Sequence, residues 1–378
     1  MSSGESVFST PSEASLLDKV CRRAFLKCLE KLPHGSLTIM ENGSKIASMG
    51  NPNDDLHATI NFKDVKAYRQ LLLGGSVGAG EAYMDGLWES DNVTAVVQIF
   101  ARNLSTLDAW ENKFKWISMP ILKIQHFARR NTQDQAKKNI EAHYDLGNKL
   151  YTRFLDNTMM YSSAIYPDVN ASLEEAQNHK LKTICDKLQL TESDHLLEIG
   201  TGWGGLAVYA AKHYGCKVTT TTISEEQYAW AEQWIERAQV SDKVTLLKKD
   251  YRLLEGKYDK LVSIEMIEAV GKDYLGNFFE KCSSLLKDDG LMLLQSITID
   301  DRRYESYASS VDFIQKYIFP GGFLPSQYQL NAHLKRYSDM MIRDLHDIGL
   351  DYAQTLNHWY EAFISAKEAL LNDGYDER

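Results

Sequence analysis

The sequence predicts an α/β protein whose larger part is a doubly wound parallel sheet with helices on both faces. Two observations predict this class. From Leu196 onward, apolar runs of strand length alternate with segments of helical periodicity. The first apolar run, residues 196–199, stops abruptly in the glycine-rich segment Gly200–Gly205 before a helical pattern restarts. A strand, a tight turn and a helix N-terminus in this order let backbone N–H groups approach a nucleotide closely, so the turn predicts a cofactor site.

Composition limits the architecture and the class of partner. The chain has 378 residues, of which 44% are hydrophobic, and this length predicts two domains with sizeable cores. The net charge of −10 argues against a surface built for nucleic acid. The five cysteines are scattered without a Cys-x-x-Cys pair, so neither a disulfide framework nor a metal site is indicated. With no signal-peptide pattern and no apolar run of membrane-spanning length, the sequence predicts a cytoplasmic protein.

The first domain, predicted over residues 1–112, is a small α+β module. Residues 14–32 carry the apolar periodicity of an amphipathic helix, and two short alternating runs, 36–39 and 57–62, predict strands joined by turns. The cluster Gly74–Gly80 then predicts a break in the chain. A phosphate site is the alternative there, but the cluster contains no lysine or arginine, which favours a tight structural connection.

A basic segment with apolar neighbours separates the two domains at residues 113–140. Basic side chains interleaved with large apolar ones are typical of a segment lying at a membrane surface, because apolar burial and attraction to anionic lipid add together. A linker with a solvated charged face is the alternative, and the sequence leaves the two open. The basic residues are Lys113, Lys115, Lys123, Arg129, Arg130, Lys137 and Lys138.

The second domain, residues 141–378, continues past the glycine turn with alternating strands and helices. Strands are predicted at 217–222, 244–247, 261–265 and 291–297, and helices at 225–239 and 274–286. In such sheets ligands bind at the carboxyl ends of the strands, so candidate site residues should follow the strands. Polar residues do follow three of them, at 250–252, 265–268 and 295–297.

The glycine turn fits two nucleotide chemistries. The spacing Gly200-x-Gly202-x-x-Gly205 satisfies the dinucleotide fingerprint. An NAD site, however, needs an acidic residue closing the second strand to hold a ribose hydroxyl, and that strand closes in Thr222-Ile223-Ser224. The acid instead precedes the turn, at Glu198. This arrangement resembles the nucleotide loop of S-adenosylmethionine (SAM)-dependent methyltransferases, which favours a methyltransferase over a dehydrogenase or a purely structural turn.

Six motifs in order resemble the cyclopropane-fatty-acyl-phospholipid synthase family, from about residue 74 to the C-terminus. The resemblance implies a Rossmann-like methyltransferase fold and an enzyme of lipid biosynthesis that methylates the double bond of an unsaturated acyl chain in a membrane phospholipid. Removal of a proton then closes a cyclopropane ring; a methyl-branched or methylene chain is the alternative product. The motifs are His143–Asn148, Met160–Ala164, the glycine turn, Thr222–Gln227, Ser263–Glu268 and Phe319–Gly322.

The resemblance also implies a cofactor site. A glutamine side chain can pair with ribose hydroxyls and an aromatic ring can stack on an adenine, which suits the residue types concerned. Together with Glu198 from the loop pattern, the implied SAM-binding residues are Tyr161, Ser162, Gly200, Gly202, Thr222, Ile223, Gln227 and Tyr251.

Bicarbonate is the base that the resemblance implies for proton removal. Its implied site consists of Ser163, Glu268, Gln295, the Ile297 backbone and Tyr352. Two positions depart from the family pattern, which has Cys in place of Ser163 and His in place of Gln295. A hydroxyl and an amide still donate hydrogen bonds to an anion, but neither titrates near neutral pH, so a proton relay through that histidine is lost.

The reaction places its own demands on the site. Methyl transfer to an alkene leaves a carbocation, which needs excluded water and either aromatic faces or an anion nearby. Glu268 is a candidate for the charge, because a carboxylate at an apolar strand end indicates a role. Tyr161, Tyr317 and Tyr352 are candidates for the aromatic faces, with a place in the core as the alternative for each. The apolar stretch 313–324 predicts an acyl-chain wall or, again, ordinary core.

Two other functions stay open on the sequence. One keeps SAM and acts on a soluble small molecule; the other is a lipid-binding protein whose altered Ser163 and Gln295 no longer support turnover. The expected protein is peripheral to the membrane and binds no nucleic acid, while the oligomeric state, a homodimer included, is left open. Family members continue into a further helix and strand, so the last strand of the sheet is expected to be missing from residues 141–378.

Overall fold

A computed structural model describes residues 15–30, 32–104, 106 and 147–376. These residues form two compact units. The first contains the described residues from 15 to 106 together with 310–316, and the second contains 147–309 and 317–376. The basic segment 113–140 and the start of the His143–Asn148 motif lie outside the described residues, so what the sequence predicts for them stays a prediction.

The first unit is an α+β module with a four-stranded sheet. Its elements are α1 (Leu16–Leu29), β1 (Ser36–Glu41), β2 (Ser44–Gly50), β3 (His57–Phe62), α2 (Lys66–Met84), β4 (Trp88–Glu89) and α3 (Val93–Arg102). Strand β1 lies between antiparallel β2 and parallel β3, and β4 pairs antiparallel with β3. Alternate side chains such as Leu37, Ile39 and Ile60 are buried in the core. The predicted helix and both predicted strands are confirmed.

The predicted break at Gly74–Gly80 is wrong, because these residues lie within α2. The helix is kinked there: Gly75 has φ 55° and ψ −139°, a conformation that residues with a Cβ rarely adopt. At Gly78 the backbone passes so close to the Gln70 carbonyl that an added Cβ would lie 2.1 Å from its oxygen. The glycines therefore bend a helix and let its backbone pack tightly, rather than ending it.

The second unit is built on a five-stranded parallel sheet within the described residues. Up to the last strand its elements are α4 (Asn148–Phe154), α5 (Leu173–Lys187), β5 (His195–Ile199), α6 (Gly205–Tyr214), β6 (Lys217–Thr222), α7 (Glu225–Arg237), β7 (Val244–Lys248), β8 (Tyr258–Ile264), α8 (Leu275–Leu285) and β9 (Leu286–Gln295). The helices that follow along the chain are α9 (Tyr304–Ala308), α10 (Phe313–Tyr317), α11 (Gln327–Tyr337), α12 (Gly349–Ser365) and α13 (Lys367–Asn372), and of these α10 belongs to the first unit except for Tyr317. None of the helices within the described residues is long and apolar enough to cross a bilayer.

The strand order β7-β6-β5-β8-β9 confirms the predicted doubly wound sheet. The chain runs outward from β5 to β7 and then returns to β8 on the other side of β5, so the switch point lies between β5 and β8. All pairings are parallel, and the carboxyl ends of the strands therefore lie at one edge. Strand β8 ends at Ile264, one residue earlier than predicted, because Glu265 has φ 46° and leaves the extended conformation.

Strand β6 contains four consecutive threonines, Thr219–Thr222, all of them buried. Each hydroxyl hydrogen-bonds a different neighbour. Thr219 Oγ1 is 2.9 Å from His195 Nε2, Thr220 Oγ1 donates to Glu198 Oε2 at 2.5 Å, Thr221 Oγ1 donates to the Lys249 carbonyl, and Thr222 Oγ1 donates to Gln227 Oε1 at 2.9 Å. The strand is therefore linked to β5, to α7 and to the segment after β7.

Candidate active site

The glycine turn at the end of β5 is shaped by left-handed backbone. Gly200, Gly202 and Gly204 have φ of 101°, 54° and 99°. The N–H groups of Gly200 and Thr201 donate to the Thr221 carbonyl at 3.1 and 3.0 Å, which holds the turn against β6. A Cβ added at Gly202 would meet nothing within 4 Å. The turn therefore borders open space at the edge of the sheet where a nucleotide is expected, and its residues fit SAM.

Glu198 lies beneath this turn rather than beside the open space. Its side chain is 3% exposed, and its Oε2 accepts a hydrogen bond from Thr220 Oγ1 at 2.5 Å. Thr220 Oγ1 in turn lies 2.6 Å from Thr201 Oγ1 in the turn. Burial raises the pKa of Glu198 to about 8. In this geometry Glu198 stabilises the turn through Thr220.

Four further residues predicted for the cofactor, Thr222, Ile223, Gln227 and Tyr251, lie at or just after the ends of the next strands. Thr222 Oγ1 accepts from the Ser224 N–H at 3.1 Å and donates to Gln227 Oε1, so Ile223 sits in a turn with both ends held. Ser224 caps helix α7 through the Gln227 N–H. Tyr251 follows β7 and packs edge-on against Phe278, with ring centroids 5.6 Å apart. These positions lie at the same sheet edge as the glycine turn.

Ser162 is held by a lysine that the sequence did not single out. Lys180 Nζ donates to Ser162 Oγ at 2.7 Å, and the two residues are 0% and 3% exposed. Gln177 Nε2 donates to the Ser162 carbonyl at 3.0 Å. Burial lowers the pKa of Lys180 to about 8, while the charges of Glu265 and Asp156 act in the opposite direction. The signal in the sequence was a lysine on the same face of α5 as buried Gln177 and Ile184.

The Glu265 carboxylate occupies the centre of the predicted anion site. Its Oε1 accepts the Ser163 backbone N–H at 2.9 Å and Gln295 Nε2 at 2.8 Å. The Glu265 N–H donates to the Gln295 carbonyl at 2.9 Å, which ties β9 to this position. The sequence pattern placed Glu265 in the segment 265–268 after β8 but assigned it no role.

Glu268, the predicted charged residue, lies next to Glu265. Its Oε1 accepts the Ile297 N–H at 2.6 Å and Ser296 Oγ at 3.0 Å. Its Oε2 is buried and has no hydrogen-bond partner among the described residues. Burial raises the pKa of Glu268 to about 8, and the charge of Glu265 adds to the rise. A buried carboxylate oxygen without a hydrogen-bond partner is available to contact a ligand.

Three residues that the resemblance assigns to bicarbonate, Ser163, Gln295 and Ile297, donate hydrogen bonds to these two carboxylates. Glu265 uses the Ser163 N–H and the Gln295 amide, and Glu268 uses the Ile297 N–H. The Ser163 hydroxyl donates to the Ala164 carbonyl at 3.0 Å instead of towards an anion. An added anion would meet two carboxylates and few donors, so the described residues do not fit bicarbonate.

An aromatic cluster lies near the carboxylates through Tyr352. Tyr161 and Trp359 have ring centroids 5.3 Å apart, Tyr352 and Trp359 6.5 Å, and Tyr161 and Phe319 6.2 Å. Burial raises the pKa of Tyr352, as do the nearby charges of Glu265 and Glu268. Tyr317, in contrast, is 42% exposed. Tyr161 and Tyr352 therefore share one cluster with Trp359, which sequence reasoning missed although it lies seven residues after Tyr352 on the same face of α12.

Part of the predicted acyl-chain wall, residues 313–324, reaches this site. Phe323 is 5% exposed, and its N–H donates to the Glu268 carbonyl at 2.8 Å. Its ring packs against Tyr304 and Tyr307, with centroids 5.8 and 5.4 Å away. Phe313, at the other end of the stretch, belongs to the first unit.

The family of the chain follows from its sequence profile. The profile of the family described as mycolic acid cyclopropane synthetase matches residues 131–378. The chain belongs to this family. Cyclopropane-fatty-acyl-phospholipid synthase from Escherichia coli (strain K12) is 39% identical over 329 residues, covering 86% of this chain and 81% of that relative. Tuberculostearic acid methyltransferase from Mycobacterium tuberculosis is 35% identical over 316 residues, covering 82% of this chain and 73% of the relative.

A solved structure agrees with the family at the level of the fold. The chain is similar to a crystal structure of a mycolic acid cyclopropane synthase complexed with SAH and CTAB, with 27% identity and a TM-score of 0.59. The match covers 64% of this chain and 87% of that one. The resemblance drawn from the six motifs, the Rossmann-like methyltransferase fold and the enzyme class are thereby confirmed.

Proposed function

We propose that this member of the cyclopropane synthase family transfers a methyl group from SAM to the double bond of an unsaturated fatty acyl chain of a membrane phospholipid, giving a cyclopropane or a methyl-branched or methylene chain. The observation that carries the proposal is the pair of carboxylates, Glu265 and Glu268, which lie near Tyr352 at the switch point beside the glycine turn. The family assignment and the names of the relatives, a phospholipid synthase and a fatty acid methyltransferase, support the substrate class.

The residues of the site suit a reaction that passes through a cation. SAM, when bound, supplies the methyl group. The open space at Gly202 admits the cofactor close to backbone N–H groups, and Tyr251 offers a ring to the adenine. The rings of Tyr161, Tyr352 and Trp359 present faces to a positively charged acyl carbon, and the carboxylates of the site stabilise that charge. The apolar surroundings exclude the water that would otherwise capture the cation.

The proposal includes association with the membrane surface, since the substrate is part of a bilayer. The support is the basic and apolar composition of residues 113–140. Reversing Lys113, Lys115, Arg129 and Arg130 to Glu should weaken binding to anionic liposomes, because each basic residue near such a surface is worth about 1 kcal/mol. Zwitterionic vesicles should show little difference. The charge-matched control reverses Lys45, Lys212, Lys217 and Lys335, which lie at exposed positions elsewhere in the chain.

The reaction is tested with purified protein, SAM and vesicles of monounsaturated phospholipid. Release of SAH and a gain of one CH₂ in the acyl chain, followed by lipid mass spectrometry, are the expected results. SAH release with a soluble acceptor but not with vesicles would favour the soluble substrate. Lipid binding without any SAH release would favour a lipid-binding protein that no longer turns over. Either result would contradict the proposal.

A further inference from the structure

We propose that the Glu265 carboxylate is the resident proton acceptor of this enzyme and takes the place that the family pattern gives to bicarbonate. The inference rests on the proposed function for its chemistry, but its geometric part stands on the described residues alone. Two residues of the implied bicarbonate site donate to Glu265 Oε1, Ser163 through its backbone N–H at 2.9 Å and Gln295 through Nε2 at 2.8 Å. The chain therefore carries its own anion at that point.

The backbone conformation at Glu265 supports this arrangement. Its φ of 46° lies in the left-handed region, which a glutamate adopts under strain and keeps only if its surroundings fix it. Those surroundings are the two hydrogen bonds to Oε1 and the bond from the Glu265 N–H to the Gln295 carbonyl at 2.9 Å. A strained residue fixed at a strand end beside a buried carboxylate indicates a functional position.

The charges around Glu265 explain how two carboxylates share one site. Glu268 lies beside it, and Lys180 is a buried cation whose charge interacts with that of Glu265. Lys180 offsets one negative charge, whereas a third anion would have no cation of its own among the described residues. A bicarbonate ion would also have to displace Glu265 Oε1 from its donors. Repulsion and competition for donors therefore both act against the free anion.

The proton-removing step balances with Glu265 as acceptor. After methyl transfer the acyl chain is a carbocation with a new methyl group. Glu265 Oε2, which bonds neither the Ser163 nor the Gln295 donor, takes a proton from that methyl group. The electron pair of the broken C–H bond forms the new C–C bond that closes the three-membered ring. The neutral acid then returns its proton to water, and no further co-reactant is needed.

The test uses two variants of Glu265 with opposite expectations. Glu265→Gly removes the carboxylate at a left-handed position that glycine adopts without strain, and it frees the Ser163 and Gln295 donors. Activity in bicarbonate-free buffer should fall about 100-fold, in the range of a lost general base, and added bicarbonate should restore at least about 10-fold of it. Glu265→Gln keeps the shape but accepts no proton, so it should be equally impaired and bicarbonate should not restore it. Wild-type activity should change less than about 2-fold with bicarbonate.

A second readout needs no turnover. NMR of isotope-labelled bicarbonate should show binding to Glu265→Gly and none to the wild type or to Glu265→Gln, with melting temperatures confirming that all three are folded. Binding of bicarbonate by the wild type, failure of Glu265→Gly to bind it, or full activity of Glu265→Gln would overturn the inference. If the wild type releases no SAH with any lipid, the proposed function fails, and the binding comparison still decides whether Glu265 occupies the anion position.

Discussion

The ends of β5 and β8 are neighbours in one sheet and are built in opposite ways. At the end of β5 the backbone does the positioning: glycines with positive φ form the turn, and Gly202 faces open space. At the end of β8 the side chains position the site: Oε1 of Glu265 and Oε1 of Glu268 accept hydrogen bonds from Gln295 at the end of β9, from the two residues after it and from the segment of Ser163. The first end is arranged to admit a ligand, whereas the second already contains the charged groups that it needs.

The largest effect should come from filling the open space at the end of β5. Gly202→Val places a branched side chain where the nucleotide approaches, so SAM affinity should fall about 100-fold or more, equivalent to about 2.7 kcal/mol. Calorimetric titration with SAM measures this. Gly86→Val is the matched control, because Gly86 also has positive φ, 68°, and open space around it. Equal SAM affinity in the two variants would mean that the turn does not border the cofactor. NAD should bind neither variant nor the wild type.

At the end of β8, Glu268→Gln should lower the turnover rate by about 100-fold while the affinity for SAM stays near normal. The amide oxygen can still accept the Ile297 and Ser296 bonds that Glu268 Oε1 accepts, but the amide cannot carry the negative charge that faces the cation. Steady-state rates of SAH release measure the effect. Tyr352→Phe should reduce the rate as well. Glu255→Gln, an exposed change of the same kind, should leave the rate unchanged, and a parallel loss of SAM affinity in Glu268→Gln would point to a structural role instead.

The next effect is on stability and comes from the buried cation. Lys180→Met removes the donor to Ser162 Oγ and the positive charge near Glu265, which should lower the free energy of unfolding by roughly 2–3 kcal/mol. Denaturant unfolding gives this value directly. Lys182→Met on the same helix removes only an exposed ion pair with Asp186 and should change stability little. Similar losses in the two variants would show that Lys180 contributes no more than a surface lysine.

The smallest effect concerns pH and the carboxyl beneath the glycine turn. The pKa of Glu198 is raised from 4.5 to about 8 in the folded state, so between these values the folded protein holds a proton that the unfolded chain has lost. Stability should therefore fall as pH rises through this window. Glu198→Gln removes the effect, and its melting temperature should drop by roughly 3 °C less than that of the wild type between pH 6 and pH 8. Glu268 contributes to the same window in both proteins. Parallel pH profiles would contradict this assignment.

The contrast between the two ends also decided what the sequence could predict. The turn was predictable because only glycine adopts its conformations at low cost, so Gly200 and Gly202 are visible in the sequence itself. Strand β6 was predicted to the residue, whereas the prediction 291–297 was wrong at both ends, because β9 begins at Leu286 and ends at Gln295. The role of Glu265 was not predictable, since it depends on a single left-handed residue and on donors from distant segments. Lys180 was not predicted for the same reason, because its partners among the described residues come from other segments of the chain.

The buried threonines of β6 have a consequence for how the sheet finds its pairing. In most strands an alternation of apolar and polar side chains specifies the register, but Thr219–Thr222 offer no such alternation. Their four hydroxyls meet four different partners, His195, Glu198, Lys249 and Gln227. A slip by one residue would turn every hydroxyl to the opposite face and break all four bonds at once. These hydrogen bonds therefore disfavour a shifted register in β6, as the hydrophobic pattern does in strands with one buried face.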